Sequence, residues 1–136
     1  MIAYKTDKNL PADQLYDLYE SIDWTEGVQD KESHALLIQK VYENSDIVFS
    51  AWEDKKMIGV VRAITDKFAH GIVYGLAVNP DFNTDEIAKE LITKTIAEYP
   101  EIQWSANVEE WEDGIFRDLG FDDSKNKFLN KGNCPI

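Results

Sequence analysis

The chain has 136 residues, 43% of them hydrophobic, and carries a formal net charge of −12 from 26 acidic and 14 basic residues. That length suits one domain over residues 1–136 with a core of its own, and the acidic balance excludes phosphate-backbone recognition, so no nucleic-acid partner is expected. No apolar run reaches bilayer length, which argues against a membrane partner, and Cys134, the one cysteine, excludes an internal disulfide.

Ile2 to Lys5 reads as a first strand. Leu10-Pro11 leads into a helix whose face is marked by Leu15, Leu18, Tyr19 and Ile22, and Trp24 to Gly27 breaks it. A second helix is expected from about Asp30 to Glu43, with Leu37, Ile38, Val41 and Tyr42 inward. Three strands follow: Ile47 to Trp52, Met57 to Ile64 beyond a charged turn at Glu53 to Lys56, and Gly71 to Val78. Asn79-Pro80-Asp81 punctuates the third, and a helix opens near Asn83 with Ile87, Ala88, Leu91, Ile92, Ile96 and Tyr99 at helical spacing. Its start carries its own signals. Asn83 is a good N-cap, Glu86 three residues on resembles a capping box, and Asp85 and Glu86 complement the helix dipole.

After Pro100, Ile102, Trp104, Ala106 and Val108 alternate with polar residues as in a half-buried strand. Trp111, Ile115 and Leu119 suggest a short helix ending at Gly120, and Phe128-Leu129 a last strand. The predicted order is β-α-α-β-β-β-α-β-α-β. No repeat, linker or low-complexity tract interrupts it, and the first ten residues contain no long apolar segment. A cytoplasmic protein is the expectation.

Strand, short loop and helix N-terminus can together hold an anion, because the first helical amides point outward without partners. Here the segment reads Val78-Asn79-Pro80, then Asn83-Thr84-Asp85-Glu86-Ile87-Ala88. It resembles the acetyl-CoA loop of the GCN5-related N-acetyltransferase (GNAT) family, usually V-x-P followed by Q/R-x-x-G-x-G/A. Ile115 to Phe121 resembles that family's F-Y-E-x-L-G-F segment, and the element order is similar over nearly the whole chain. The resemblance implies an α/β fold with a central mixed sheet flanked by helices. The strands ending at Val78 and starting at Ile102 should lie parallel and splay, joined by a crossover helix from Asp85 to Glu98 that turns Ile87, Leu91 and Ile96 to the sheet.

The resemblance also implies a function, acetyl transfer from acetyl-CoA to an amine. The pantetheine would lie on the backbone of Leu76, Ala77 and Val78, with Asn107 at the neighbouring strand end, and Asn83 to Ala88 would grip the pyrophosphate. The divergence falls in this loop: Glu86 stands at a glycine position and adds bulk and negative charge beside Asp85. A GNAT-like binding module without normal CoA binding is therefore the alternative.

Alignment puts Phe116 at the family's proton-donor tyrosine, and Tyr74 is the nearest other tyrosine by sequence. Glu109, Glu110, Glu112 and Asp113 could supply a base or form a solvated face. Trp24 and Trp52 could line an acceptor pocket or simply pack. His34 reads as a satisfied core-edge histidine and His70 as a turn residue. The acceptor would be a small amine or a basic peptide, which the acidic surface favours, on a monomer or homodimer. No metal-ligand spacing is present.

Overall fold

Both faces of the central strands are apolar, and the computed structural model, which describes residues 1–136, covers both of them. The elements are β1 (Ile2–Lys5), α1 (Ala12–Ser21), α2 (Lys31–Glu43), β2 (Ile47–Glu53), β3 (Lys56–Thr65), β4 (His70–Val78), α3 (Thr84–Ala97), β5 (Gln103–Ala106), a 3-10 turn (Glu110–Glu112) and α4 (Asp113–Asp118). The five strands form one sheet in chain order. β1 to β4 are antiparallel neighbours, and β5 pairs with β4 in parallel.

The sheet divides the core in two. On one side, Ile47, Phe49 and Ala51 of β2 meet Ile87, Leu91 and Ile92 of α3. On the other, Val48, Trp52 and Val60 meet Leu15, Leu18 and Tyr19 of α1 and Ile38 and Tyr42 of α2. Burial on both faces explains why these strands read as continuous apolar runs. Each fully buried aliphatic side chain contributes roughly 1.5–3 kcal/mol. Gly59 is where α3 comes closest: a Cβ there would lie 3.1 Å from Ile87 Cγ2 and 3.2 Å from Leu91 Cδ1.

The parallel pairing of β4 and β5 follows the expected crossover. It runs only from His70 opposite Gln103 to Val73 opposite Ala106, so Tyr74 to Val78 continue without β5 beside them. That divergence opens the site described below.

Four expectations are corrected. Phe128-Leu129 forms no strand; residues 121–136 hold no regular structure, and both side chains are exposed. In α2 the buried set is Ala35, Ile38 and Tyr42. Leu37 faces outward and Val41 is half-buried, because the helix rests on α1 over a narrower stripe than its apolar content suggests. The strand expected from Ile102 to Val108 is confined to Gln103–Ala106. His70 begins β4 instead of sitting in the turn.

Candidate active site

The site begins with a bulge in β4. Val60 pairs with Ala77 and Arg62 with Tyr74, so Gly75 and Leu76 together oppose Val61. Gly75 takes φ +62°, a conformation open to glycine and strained for other residues. Its carbonyl accepts a hydrogen bond from Tyr42 Oη at 3.0 Å, and Tyr42 Oη lies 2.8 Å from Tyr19 Oη. Since the Tyr42 proton goes to Gly75, the Tyr19 hydroxyl donates to Tyr42. Burial holds both phenols up: Tyr19 is raised to about 12, and Tyr42 well above the usual tyrosine range.

Beyond the bulge the strand edge turns toward the gap. The Asn79 amide donates to Ile58 O at 2.8 Å, on the β3 side. Strand alternation then turns the Val78 amide to the opposite edge, where β5 has already diverged. A cavity of about 370 Å³ opens beside this edge, with Val73 to Leu76 on one wall and Asn107, Glu109, Glu112 and Phe116 on the other.

Glu112 is the unexpected element of that wall. It is 3% exposed, although its sequence neighbours Glu110 and Asp113 face solvent. Burial, with the Glu109 carboxylate beside it, raises its carboxyl group from 4.5 to about 8. The acidic run is therefore not a uniformly solvated face. The 3-10 turn rotates one carboxyl inward, and residue type alone does not signal which one. The tyrosines divide in the same way. Tyr19 has committed its proton, while Tyr74 lines the cavity with no hydrogen bond within the chain engaging its hydroxyl. The Arg62 guanidinium lies over the Tyr74 ring, with 5.0 Å from guanidinium carbon to ring centroid. Phe116 is buried in the same wall, edge-on to Phe121 at 5.0 Å.

The helix end expected to meet an anion lies beyond Val78. Asn83 Oδ1 accepts from the Glu86 amide at 3.3 Å, and Asn83 Nδ2 donates to Glu86 Oε2 at 3.1 Å. The Asn83–Glu86 cap read from the sequence is present, in a variant that bonds the two side chains directly. It satisfies one first-turn amide from within and sets the exposed Asp85 and Glu86 carboxylates at the positive end of α3.

The proposed cofactor residues thus fall into three groups. The side chains of Leu76, Ala77, Val78, Ile87 and Ala88 are buried in the core, so these residues offer backbone only. Asn83, Thr84, Asp85 and Glu86 form the rim of the α3 N-terminus. Asn107 is exposed just past β5, at the cavity mouth. Trp24 lines the cavity, whereas Trp52 packs in the core with its Nε1 donating to Ser50 Oγ at 2.8 Å. His34 lies at the core edge as expected, but its Nε2 is buried without a partner. No group of His, Cys, Asp and Glu could hold a metal ion, and no helix is long and apolar enough to cross a membrane.

Comparison with known proteins agrees with this geometry. The family model of the acetyltransferase (GNAT) family matches residues 10–123. A GNAT-family protein of Streptococcus pneumoniae TIGR4 superposes with TM-score 0.75 at 21% identity, covering 97% of this chain and 100% of that one. A predicted acetyltransferase with acetyl-CoA from Clostridium acetobutylicum gives TM-score 0.73 at 14% identity over 96% of each chain. AAC(6')-Iy, in complex with a bisubstrate analogue of CoA and acetylneamine, gives 0.71 at 16% identity over 98% of this chain and 99% of that one. No curated protein matches the sequence.

Proposed function

We propose that this chain, which belongs to the acetyltransferase (GNAT) family, transfers acetyl from acetyl-CoA to an amine in the cavity between the splayed ends of β4 and β5. The observation that carries the reading is that splay: a strand edge without a neighbour, facing a cavity that holds a buried carboxyl group. The pantetheine would take the place of a strand along Leu76 to Val78, and the Val78 amide faces the gap it would occupy.

In the step itself, the neutral amine nitrogen attacks the acetyl carbonyl carbon. A C–N bond forms, the C–S bond breaks, the amine loses a proton and the departing thiolate gains one. Glu112 is the group suited to take the amine's proton. Burial makes it a stronger base than a solvated carboxylate, and a cationic amine beside it would favour its ionised form. Tyr74, which lines the cavity and whose hydroxyl makes no hydrogen bond within the chain, is the group available to protonate the thiolate. Phe116, at the position of the family's tyrosine, has no proton to give.

The reading in which the fold has lost normal CoA binding rests on one specific observation, the self-capped and acidic start of α3. Isothermal titration with acetyl-CoA, followed by thiol-release assays over a panel of amines, separates the two. Binding together with amine-dependent release of CoA supports transfer. Absence of binding at millimolar acetyl-CoA would leave the binding-module reading standing.

A further inference from the structure

The two arginines of this chain meet opposite surroundings. Arg117 holds three carboxylates: Asp113 at 2.9 Å, Asp122 at 3.4 Å and Asp123 at 2.7 Å. Arg62 forms no ion pair, in a chain with 26 acidic residues. Its Nε is buried and has no hydrogen-bond partner, and its guanidinium lies on the Tyr74 ring in the cavity wall.

A guanidinium stays charged and presents its N–H groups in a planar fork that matches a carboxylate. Its place over the Tyr74 ring, 5.0 Å from the centroid, is a cation–π contact that uses none of its N–H groups. Burying such a donor unpaired is costly, and the arrangement makes sense when a ligand completes it. Glu109 and Glu112 line the same cavity from the other wall. One small volume is therefore lined both by an arginine without an ion pair and by two glutamates suited to an ammonium.

We propose that the acceptor is an amino acid, its carboxylate bound by Arg62 and its amine directed toward Glu112. This rests on the acetyl-transfer reading above and names the substrate class of that site. A zwitterion carries no net charge, so the −12 field of the protein does not repel it. A cavity of about 370 Å³ also lies in the range of small-ligand sites.

The test compares the standard L-amino acids with their carboxamides, which keep the amine and lose the carboxylate. Binding is measured by isothermal titration and acetylation by thiol release, on the unaltered chain, Arg62→Gln and Arg62→Lys. Thermal melts of each variant check the fold. At least one amino acid should bind, and its carboxamide at least tenfold more weakly. Arg62→Gln should abolish that preference by weakening the acid alone, and Arg62→Lys should retain part of it.

The inference is overturned if acid and carboxamide bind equally to the unaltered chain, or if no amino acid binds. Equal weakening of both by Arg62→Gln also overturns it, since Arg62 would then serve the thioester or the fold. The two readings fail separately. Acid-selective binding with no acetylation would sink the transfer reading alone. Acetylation of amines with no preference for a carboxylate would sink this one alone.

Discussion

Glu112→Gln keeps the size and shape of the side chain and removes its ionisation, so it isolates the consequence of burying this carboxyl group. In the folded protein Glu112 titrates at about 8, against 4.5 in an unperturbed chain, mainly because burial disfavours the charged form and secondarily because Glu109 repels it. Below about pH 4.5 both the folded and the unfolded chain hold the proton, and the shift contributes nothing. Between that value and about 8 the unfolded chain releases a proton that the folded chain keeps. Stability therefore falls as pH rises, and above about 8 the loss is complete. Converted fully at about 1.36 kcal/mol per unit, the shift sets a ceiling of about 5 kcal/mol. Side-chain rotation and water entry on ionisation relieve much of this, so about 2 kcal/mol is the expected size. Urea unfolding of both proteins at about pH 5, 7 and 9 reads it out. The variant should gain about 2 kcal/mol relative to the unaltered chain from the lowest to the highest pH. Parallel stability curves for the two proteins would refute the argument, because Glu112 would then ionise as freely as a solvated carboxylate.

Other outcomes test the remaining parts of the site. Replacing Glu86 by Gly removes one negative charge at the start of α3 and replacing Asp85 by Lys reverses a second; acetyl-CoA should bind at least tenfold tighter, about 1.4 kcal/mol, with a gain that shrinks at high salt. The same changes weaken the cap, because the bond from Asn83 Nδ2 to Glu86 Oε2 is lost while the residue 86 amide keeps Asn83 Oδ1, so the free protein should lose about 0.5–2 kcal/mol in a thermal or urea melt. Phe116→Tyr places a hydroxyl in the cavity wall and should raise turnover by part of the 10²–10⁴-fold that general acid catalysis typically contributes. Unchanged turnover in a variant that binds acetyl-CoA would mean that another group, Tyr74 first, already protonates the leaving thiolate, or that Phe116 is not the position equivalent to the family's tyrosine. Tyr42→Phe strips the Gly75 carbonyl and the Tyr19 hydroxyl of their partner and should cost about 1–3 kcal/mol in urea unfolding. A stability equal to that of the unaltered protein would show that the bulge needs no support from α2.

What the sequence determined by itself is local. The apolar runs of β2 to β4, the period of α3 and the Asn83–Glu86 cap are all written within short stretches of chain, because periodicity and capping depend on neighbours a few residues apart. The parallel pairing of β4 with β5 was implied by the family resemblance of the sequence, and a strand, a crossover helix and a second strand accord with it. The failed strand at Phe128-Leu129 marks the boundary of such reasoning. Two apolar residues satisfy a strand pattern, but a strand forms only where a partner edge and a face to bury are available, and these side chains stay exposed. The chemistry of the cavity was decided by tertiary structure alone. Four acidic residues in one short stretch look alike until the 3-10 turn points Glu112 inward. Arg62 looks like any strand arginine until β4 bulges beside it and sets the Tyr74 ring under its guanidinium. Burial and the absence of a partner are properties of what surrounds a group in space, and those surroundings come from segments tens of residues away along the chain.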